Sequence, residues 1–256
     1  MSYVCKNCKA ESEFRVPRCP ICNTWGEYTS KEGLELSASP IPLNRIKAEK
    51  YQYQSTGVPG LDSVLGGGFV SEGLYYFYGA PGTGKSTLLL QIAGLFKTLY
   101  ITGEESAGSI KLRANRLGVS ASKIYVWATD NASQVFAWSG MYDFVIWDSL
   151  HTLRLPGEYD SPGATLTAVE VTRRVMHYTR ARGCFSAIIG HVNKDGGSHG
   201  AVAIEHLVDT PIKVVGDDNS PEKIFSTTKN RYGPAPVSCE LVMSATGFHE
   251  PLRAVE

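Results

Sequence analysis

The stretch LYYFYGAPGTGKSTLLLQIAGLFK, residues 74–97, decides the fold. LYYFYG (74–79) is a short apolar and aromatic run suited to a buried strand. GAPGTGKS (79–86) matches the pattern G-x4-G-K-[ST], and KSTLLLQIAGLFK (85–97) has helical character. A strand, a glycine-rich loop and a helix in that order form the setting in which this pattern binds phosphate. The glycines let backbone N–H groups turn inward, and the helix N-terminus adds its positive end. The loop Gly79, Ala80, Pro81, Gly82, Thr83, Gly84, Lys85, Ser86 and Thr87 is therefore expected to bind ATP. Lys85 would reach the β- and γ-phosphates and Ser86 would ligate Mg²⁺.

Working outward, short apolar runs alternate with amphipathic segments. TLYITGE (98–104), IYVWA (124–128), FVIWDS (144–149) and FSAIIGHV (185–192) read as strands. SIKLRANRLG (109–118) and TAVEVTRRVMHYTRARG (167–183) read as helices. The alternation predicts an α/β fold: a mostly parallel sheet with helices on both faces. IKVVGD, KIFSTTKN and VSCELVMS, within 212–244, follow one another without helices and predict antiparallel strands at one sheet edge.

Several strand ends carry chemistry. Asp148 closes FVIWD, where a carboxylate beside the phosphate loop can hold Mg²⁺, although it could also cap the next segment. Glu104 and Glu105 follow the strand TLYIT. One of them, with Glu104 preferred, can polarise the attacking water of ATP hydrolysis; both could instead complement a helix dipole. His191, at the end of another core run, is either a γ-phosphate sensor or a satisfied core histidine, and Asn193 and Lys194 share that ambiguity.

The N-terminus has a different character. CKNCKAESEFRVPRCPIC (5–22) spaces Cys5, Cys8, Cys19 and Cys22 as C-x2-C-x10-C-x2-C. Two such knuckles complete a tetrahedral, structural Zn²⁺ site, and a segment this short needs the metal to fold. Two disulfides or four free thiols are the alternatives. Cys184 and Cys239 stand alone and read as small buried hydrophobes. Domain boundaries follow: a zinc ribbon over 1–29, an extended Pro- and Ser-containing linker over 30–54, and an ATPase domain over 55–256.

Bulk composition constrains less. The 256 residues are 43% hydrophobic with formal net charge 0, so no global field points to nucleic acid, though a local basic channel remains compatible. No apolar run approaches the ~20 residues of a membrane span. MSYVCKNCKA (1–10) lacks the apolar core of a signal peptide. Together these point to the cytoplasm and to no membrane partner.

The motifs taken jointly resemble the bacterial RadA/Sms family of RecA-like ATPases. The four-Cys module ends in CPICNTW; STGVPGLDSVLGGGFV precedes the phosphate loop; GEES and IKLRANRLG follow it. FVIWDSLHTL, IIGHVNKDG, AIEHLVDT and KNRYG complete the series, which runs from about residue 3 to about residue 250. The resemblance implies a RecA-like core and a homo-hexameric ring that hydrolyses ATP between subunits. It further implies translocation on single-stranded DNA, a helicase acting on branched DNA in branch migration, recombination and repair, and a recombinase as a further partner. By analogy with ring helicases of the DnaB type, Lys229 and Arg231 of KNRYG (229–233) act on the nucleotide of the adjacent subunit. The chain departs from the family at Lys9, where a knuckle glycine is usual, and at Tyr232, where phenylalanine is usual. It also leaves no room after Glu256 for the Lon-protease-like domain that RadA/Sms proteins usually carry, which reads as a short form.

A strand geometry for KNRYG would project Lys229 and Arg231 together toward an anion, and 225–235 offers no acid to meet them. The competing reading is a solvated hairpin with Gly233 in its turn. DNA contacts are expected on two strand-end loops, 151–165 and 193–202, from Arg154, Lys194 and His199, with Gly196, Gly197 and Gly200 allowing close backbone approach. Two further functions share the fold: a KaiC-like regulatory ATPase acting through protein partners, and a filament-forming strand-exchange recombinase.

Overall fold

The computed structural model describes residues 3–5, 11–12, 18–19, 28–30, 42–45, 50–191, 199–217 and 220–251. The chain divides into two compact units, Met1–Lys50 and Tyr51–Glu256. In the first, strand β1 (Tyr3–Cys5) pairs antiparallel with β2 (Glu11–Ser12) and β3 (Tyr28–Ser30). Cys5 and Cys19 are both fully buried, while Cys8 and Cys22 lie outside the described residues.

The second unit begins with β4 (Tyr53–Gln54), α1 (Pro59–Leu65) and β5 (Phe69–Val70). It continues through β6 (Leu74–Gly79), α2 (Lys85–Ala93), β7 (Thr98–Thr102), α3 (Ala107–Arg116) and β8 (Ile124–Ala128). Next come α4 (Ala132–Ala137), β9 (Phe144–Asp148), α5 (Thr165–Arg182), β10 (Phe185–His191) and α6 (His199–Leu207). The tail adds β11 (Thr210–Val215), β12 (Glu222–Thr227), β13 (Val237–Ser244) and β14 (Gly247–His249).

The main sheet has nine strands in the order β14-β13-β12-β11-β6-β10-β9-β7-β8. From β11 to β8 every neighbouring pair is parallel; β11–β12, β12–β13 and β13–β14 are antiparallel. The expected α/β sheet with antiparallel edge strands is thus present. β11 differs from its expectation in one respect: it joins the parallel part by pairing with β6.

Alternation along the central strands explains why both sheet faces are covered. Tyr75 and Phe77 of β6 pack with α1, α2 and α3 residues in one buried cluster. Leu74 and Tyr76 pack on the opposite side with residues of α4, α5 and α6. A strand with apolar residues at successive positions must be buried on both faces, and this one is.

Strand register brings the functional tips level. Gly79 lies opposite His191 on one side of β6, and Thr102 lies opposite Asp148 between β7 and β9. No described helix is long and apolar enough to cross a membrane.

Candidate active site at the strand tips

The phosphate loop leaves β6 and enters α2 as expected. Gly84 has φ of 88°, and a Cβ there would lie 2.6 Å from Phe248 Cζ, so only glycine fits. Lys85 is 3% exposed, and its Nζ donates to the carbonyls of Gly79 (3.0 Å) and Ala80 (2.8 Å) and to Thr83 Oγ1 (3.2 Å). Burial lowers its pKa to about 8, against the opposing pull of Asp148 and Glu104. A cavity of about 260 Å³ opens over Gly82, Gly84, Lys85, Ser86 and Thr87, with Arg113, Arg116 and His191 on its walls.

Asp148 sits at the tip of β9, 3% exposed, and accepts a hydrogen bond from the Tyr100 hydroxyl, with the Ser86 side chain close by. Burial raises its pKa, and the carboxylates of Glu104 and Glu105 add to the rise. A buried carboxylate beside a serine hydroxyl, pressed by two more carboxylates, fits the donor set and charge deficit of a Mg²⁺ site.

The two glutamates part company. Both backbone N–H groups donate to Thr102 Oγ1, at 3.2 and 3.0 Å. Glu105 is then taken by Arg113 at 2.5 Å. Glu104 instead accepts from the Ser149 hydroxyl and stands 3.5 Å from His191 Nε2. Its carboxylate is left facing the phosphate-loop side.

His191 is part of this group rather than a satisfied core residue: its Nδ1 is buried without a hydrogen-bond partner among the described residues. The His151 ring lies tilted against it at 5.7 Å between ring centres, and its Nδ1 accepts from the His191 backbone N–H at 3.3 Å. Burial lowers the pKa of both rings. Tyr100, Ser149, Arg113 and His151 escaped sequence reading because each acts through a neighbour that only the folded sheet supplies.

KNRYG needs a correction. It is not a strand; it lies in the connection between β12 and β13, so alternate residues do not share a direction. Lys229 Nζ donates to the carbonyls of Glu205 (2.9 Å), His206 (3.1 Å) and Val208 (2.7 Å), closing the C-terminal end of α6. Its three donors are thereby used. Arg231 goes elsewhere: its Nη1 meets Asp209 at 2.7 Å. Asp209 is 22 residues away in sequence, well outside 225–235. Gly233 packs against Gly66, where a Cβ would come within 2.6 Å of that residue's Cα.

β12 runs antiparallel to β11, so this connection lies at the N-terminal end of the parallel strands. The phosphate loop lies at the C-terminal end of β6. Six residues of strand separate the two ends, about 20 Å at the usual rise.

The candidate DNA contacts fare unequally. Arg154 binds Asp130 and Asp160, each at 2.8 Å, and Leu153 and Leu155 beside it are buried. Its loop is pinned to the core, and its guanidinium is engaged by two partly exposed carboxylates. His199 opens α6 instead of lying in a loop. Asn193 and Lys194 lie outside the described residues.

This fold and this arrangement of phosphate loop, strand-tip carboxylates and covered parallel sheet define a RecA-like P-loop ATPase domain. Residues 54–128 match the family model "ATPase: KaiC". A crystal structure of the RadB recombinase superposes with a TM-score of 0.61 at 18% identity, covering 77% of this chain and 98% of that one. More narrowly, the chain is a homologue of the DNA repair protein RadA over nearly its whole length. It is 34% identical to that protein from Chlamydia muridarum over 97% of this chain, and 35% identical to one from Helicobacter pylori over 91%. RadA from Listeria monocytogenes is 34% identical over 90%. The chain spans somewhat more than half of these relatives' lengths, 58%, 56% and 54% in the same order.

Proposed function

We propose that this chain is an ATP-hydrolysing DNA motor whose ATP sites are shared between neighbouring subunits of a hexameric ring, working on single-stranded and branched DNA in recombination and repair. The relatives' name as DNA repair proteins supports the process. Lys85 and the backbone of the phosphate loop bind the phosphates. Ser86 and Asp148 hold Mg²⁺, which would neutralise phosphate charge. Glu104 polarises the attacking water, with Ser149 and His191 fixing its carboxylate. Arg231 stabilises transition-state charge on the nucleotide of the next subunit, and Lys229 anchors the Arg231 loop to α6. Cys5, Cys8, Cys19 and Cys22 hold a structural Zn²⁺, a reading supported by the burial of Cys5 and Cys19.

The observation that carries this reading is the place of Arg231. It is about half exposed, and a strand's length of sheet separates it from its own Lys85. A cation of this kind that acts on phosphate must act on another copy's. A trans arginine is worth about 10³–10⁵ in rate.

The test mixes Lys85→Ala protein with Arg231→Ala protein. Each alone should show little DNA-stimulated hydrolysis. The mixture should recover activity, because some interfaces then pair an intact Lys85 with an intact Arg231. No recovery, or full activity of Arg231→Ala alone, defeats the shared site. The match of residues 54–128 to the KaiC model favours one second reading, an ATPase that works through protein partners. Hydrolysis that single-stranded DNA fails to stimulate would favour it.

A further inference from the structure

Asp209 is a carboxylate with unusual company. It stands between α6 and β11 and is 2% exposed. Its backbone N–H donates to Leu74 O at 3.0 Å, and its Oδ2 accepts from Leu74 N at 2.9 Å. That pair locks it to the first residue of β6. The other oxygen, Oδ1, faces the KNRYG loop. It takes Arg231 Nη1 at 2.7 Å, while Arg180 Nη2, from the last turn of α5, stands 3.6 Å away. Burial raises the pKa of the neighbouring Tyr232 hydroxyl and Asp209 adds to the rise, and the Arg231 backbone N–H donates to the Asp209 carbonyl at 3.3 Å.

The two ends of the Arg231 side chain therefore have opposite fates. One guanidinium nitrogen is held by a buried acid fixed to the sheet. Nε and Nη2 have no hydrogen-bond partner among the described residues, and the side chain is 49% exposed. A guanidinium is planar, so fixing one nitrogen and the backbone fixes the direction in which the others point. Two guanidiniums on one carboxylate also leave the cluster net positive at an exposed edge. Both properties suit an anion arriving from outside the chain.

We propose that Asp209 is the positioning residue of Arg231: it holds the guanidinium extended so that its free nitrogens meet the phosphates of a neighbouring subunit's nucleotide. This rests on the shared-site reading above. Asp209 touches no nucleotide itself, and its effect runs through Arg231 alone. A carboxylate that merely stapled the loop to β6 would have a different signature.

The experiment compares Asp209→Asn, Arg231→Ala and the double variant in DNA-stimulated ATP hydrolysis by the whole chain. Asparagine keeps an oxygen for Leu74 N but loses the charge that holds Arg231. Asp209→Asn should lower kcat by about 10- to 100-fold, with the KM for ATP within about twofold. The double variant should be no slower than Arg231→Ala. Losses that multiply in the double variant, or an Asp209→Asn protein with normal kcat, overturn the positioning role while leaving the shared site standing. A normal Arg231→Ala protein removes the shared site and the proposal with it. Should Asp209→Asn melt before assay, Arg231→Lys decides. Lysine keeps the charge but has no planar fork, so full turnover in Arg231→Lys overturns the proposal, and loss comparable to Arg231→Ala supports it.

Discussion

Glu104 and Glu105 share a strand end, a backbone acceptor and a side-chain type, yet their surroundings divide the work. Arg113 engages the Glu105 carboxylate in an ion pair, which leaves it less free to orient a water. Glu104 keeps its carboxylate beside Ser149 and His191, on the side of the phosphate loop. Glu104→Gln should lower ATP turnover by about 10²–10⁴-fold with ATP binding retained. Glu105→Gln should cost less than about tenfold in turnover, its loss falling on the Arg113 ion pair instead. Single-turnover hydrolysis alongside equilibrium binding measures both, and equal losses in the two variants would refute the division. The sequence placed both glutamates at the right strand tip. It could not separate them, because the discriminating partner sits on α3 and meets Glu105 only after the helix packs.

Among the elements, the β13–β14 pair is tied to α2 by one side chain. Gln91 donates to the Phe248 carbonyl at 2.9 Å and accepts from the Phe248 N–H at 2.7 Å. Phe248 in turn fills the space next to Gly84, so the edge strands buttress the phosphate loop. Gln91→Ala should destabilise the protein by about 1–3 kcal/mol, the cost of leaving a part-buried backbone pair unmet. It should also raise the KM for ATP, because the support beside Gly84 loosens. A thermal melt and a substrate titration check this; an unchanged KM with a lowered melting temperature would confine Gln91 to stability.

At this scale most of the sheet was legible, because buried runs and helical spacing are properties of single segments. Partners were not: β11 looked like an edge strand and pairs with β6. KNRYG looked like strand because Thr227 and its predecessors are. The chain leaves β12 where the Lys229 ammonium is drawn to the open carbonyls of α6. The glycines at 196, 197 and 200 hid the start of α6, which begins at His199.

For the molecule as a whole, the two compact units meet different stability problems. The unit Tyr51–Glu256 has a two-sided apolar core and should fold without metal. Met1–Lys50 is too short to do so on apolar content. Chelation with a strong zinc ligand should release one Zn²⁺ per chain and unfold the N-terminal unit, while the ATPase unit keeps its melting temperature and its ATP binding. Release of no zinc from protein purified without chelator would end the zinc reading. The cysteine spacing was the whole of the signal here, since metal ligation depends on spacing more than on any pattern of burial.

The grip of Lys229 on α6 has a mechanical consequence. One ammonium spans three carbonyls at the helix end, and Asp209 follows that end within two residues. Helix and loop are thereby joined like a crank and its pin: a load that shifts α6 along its axis must carry the guanidinium of Arg231 with it.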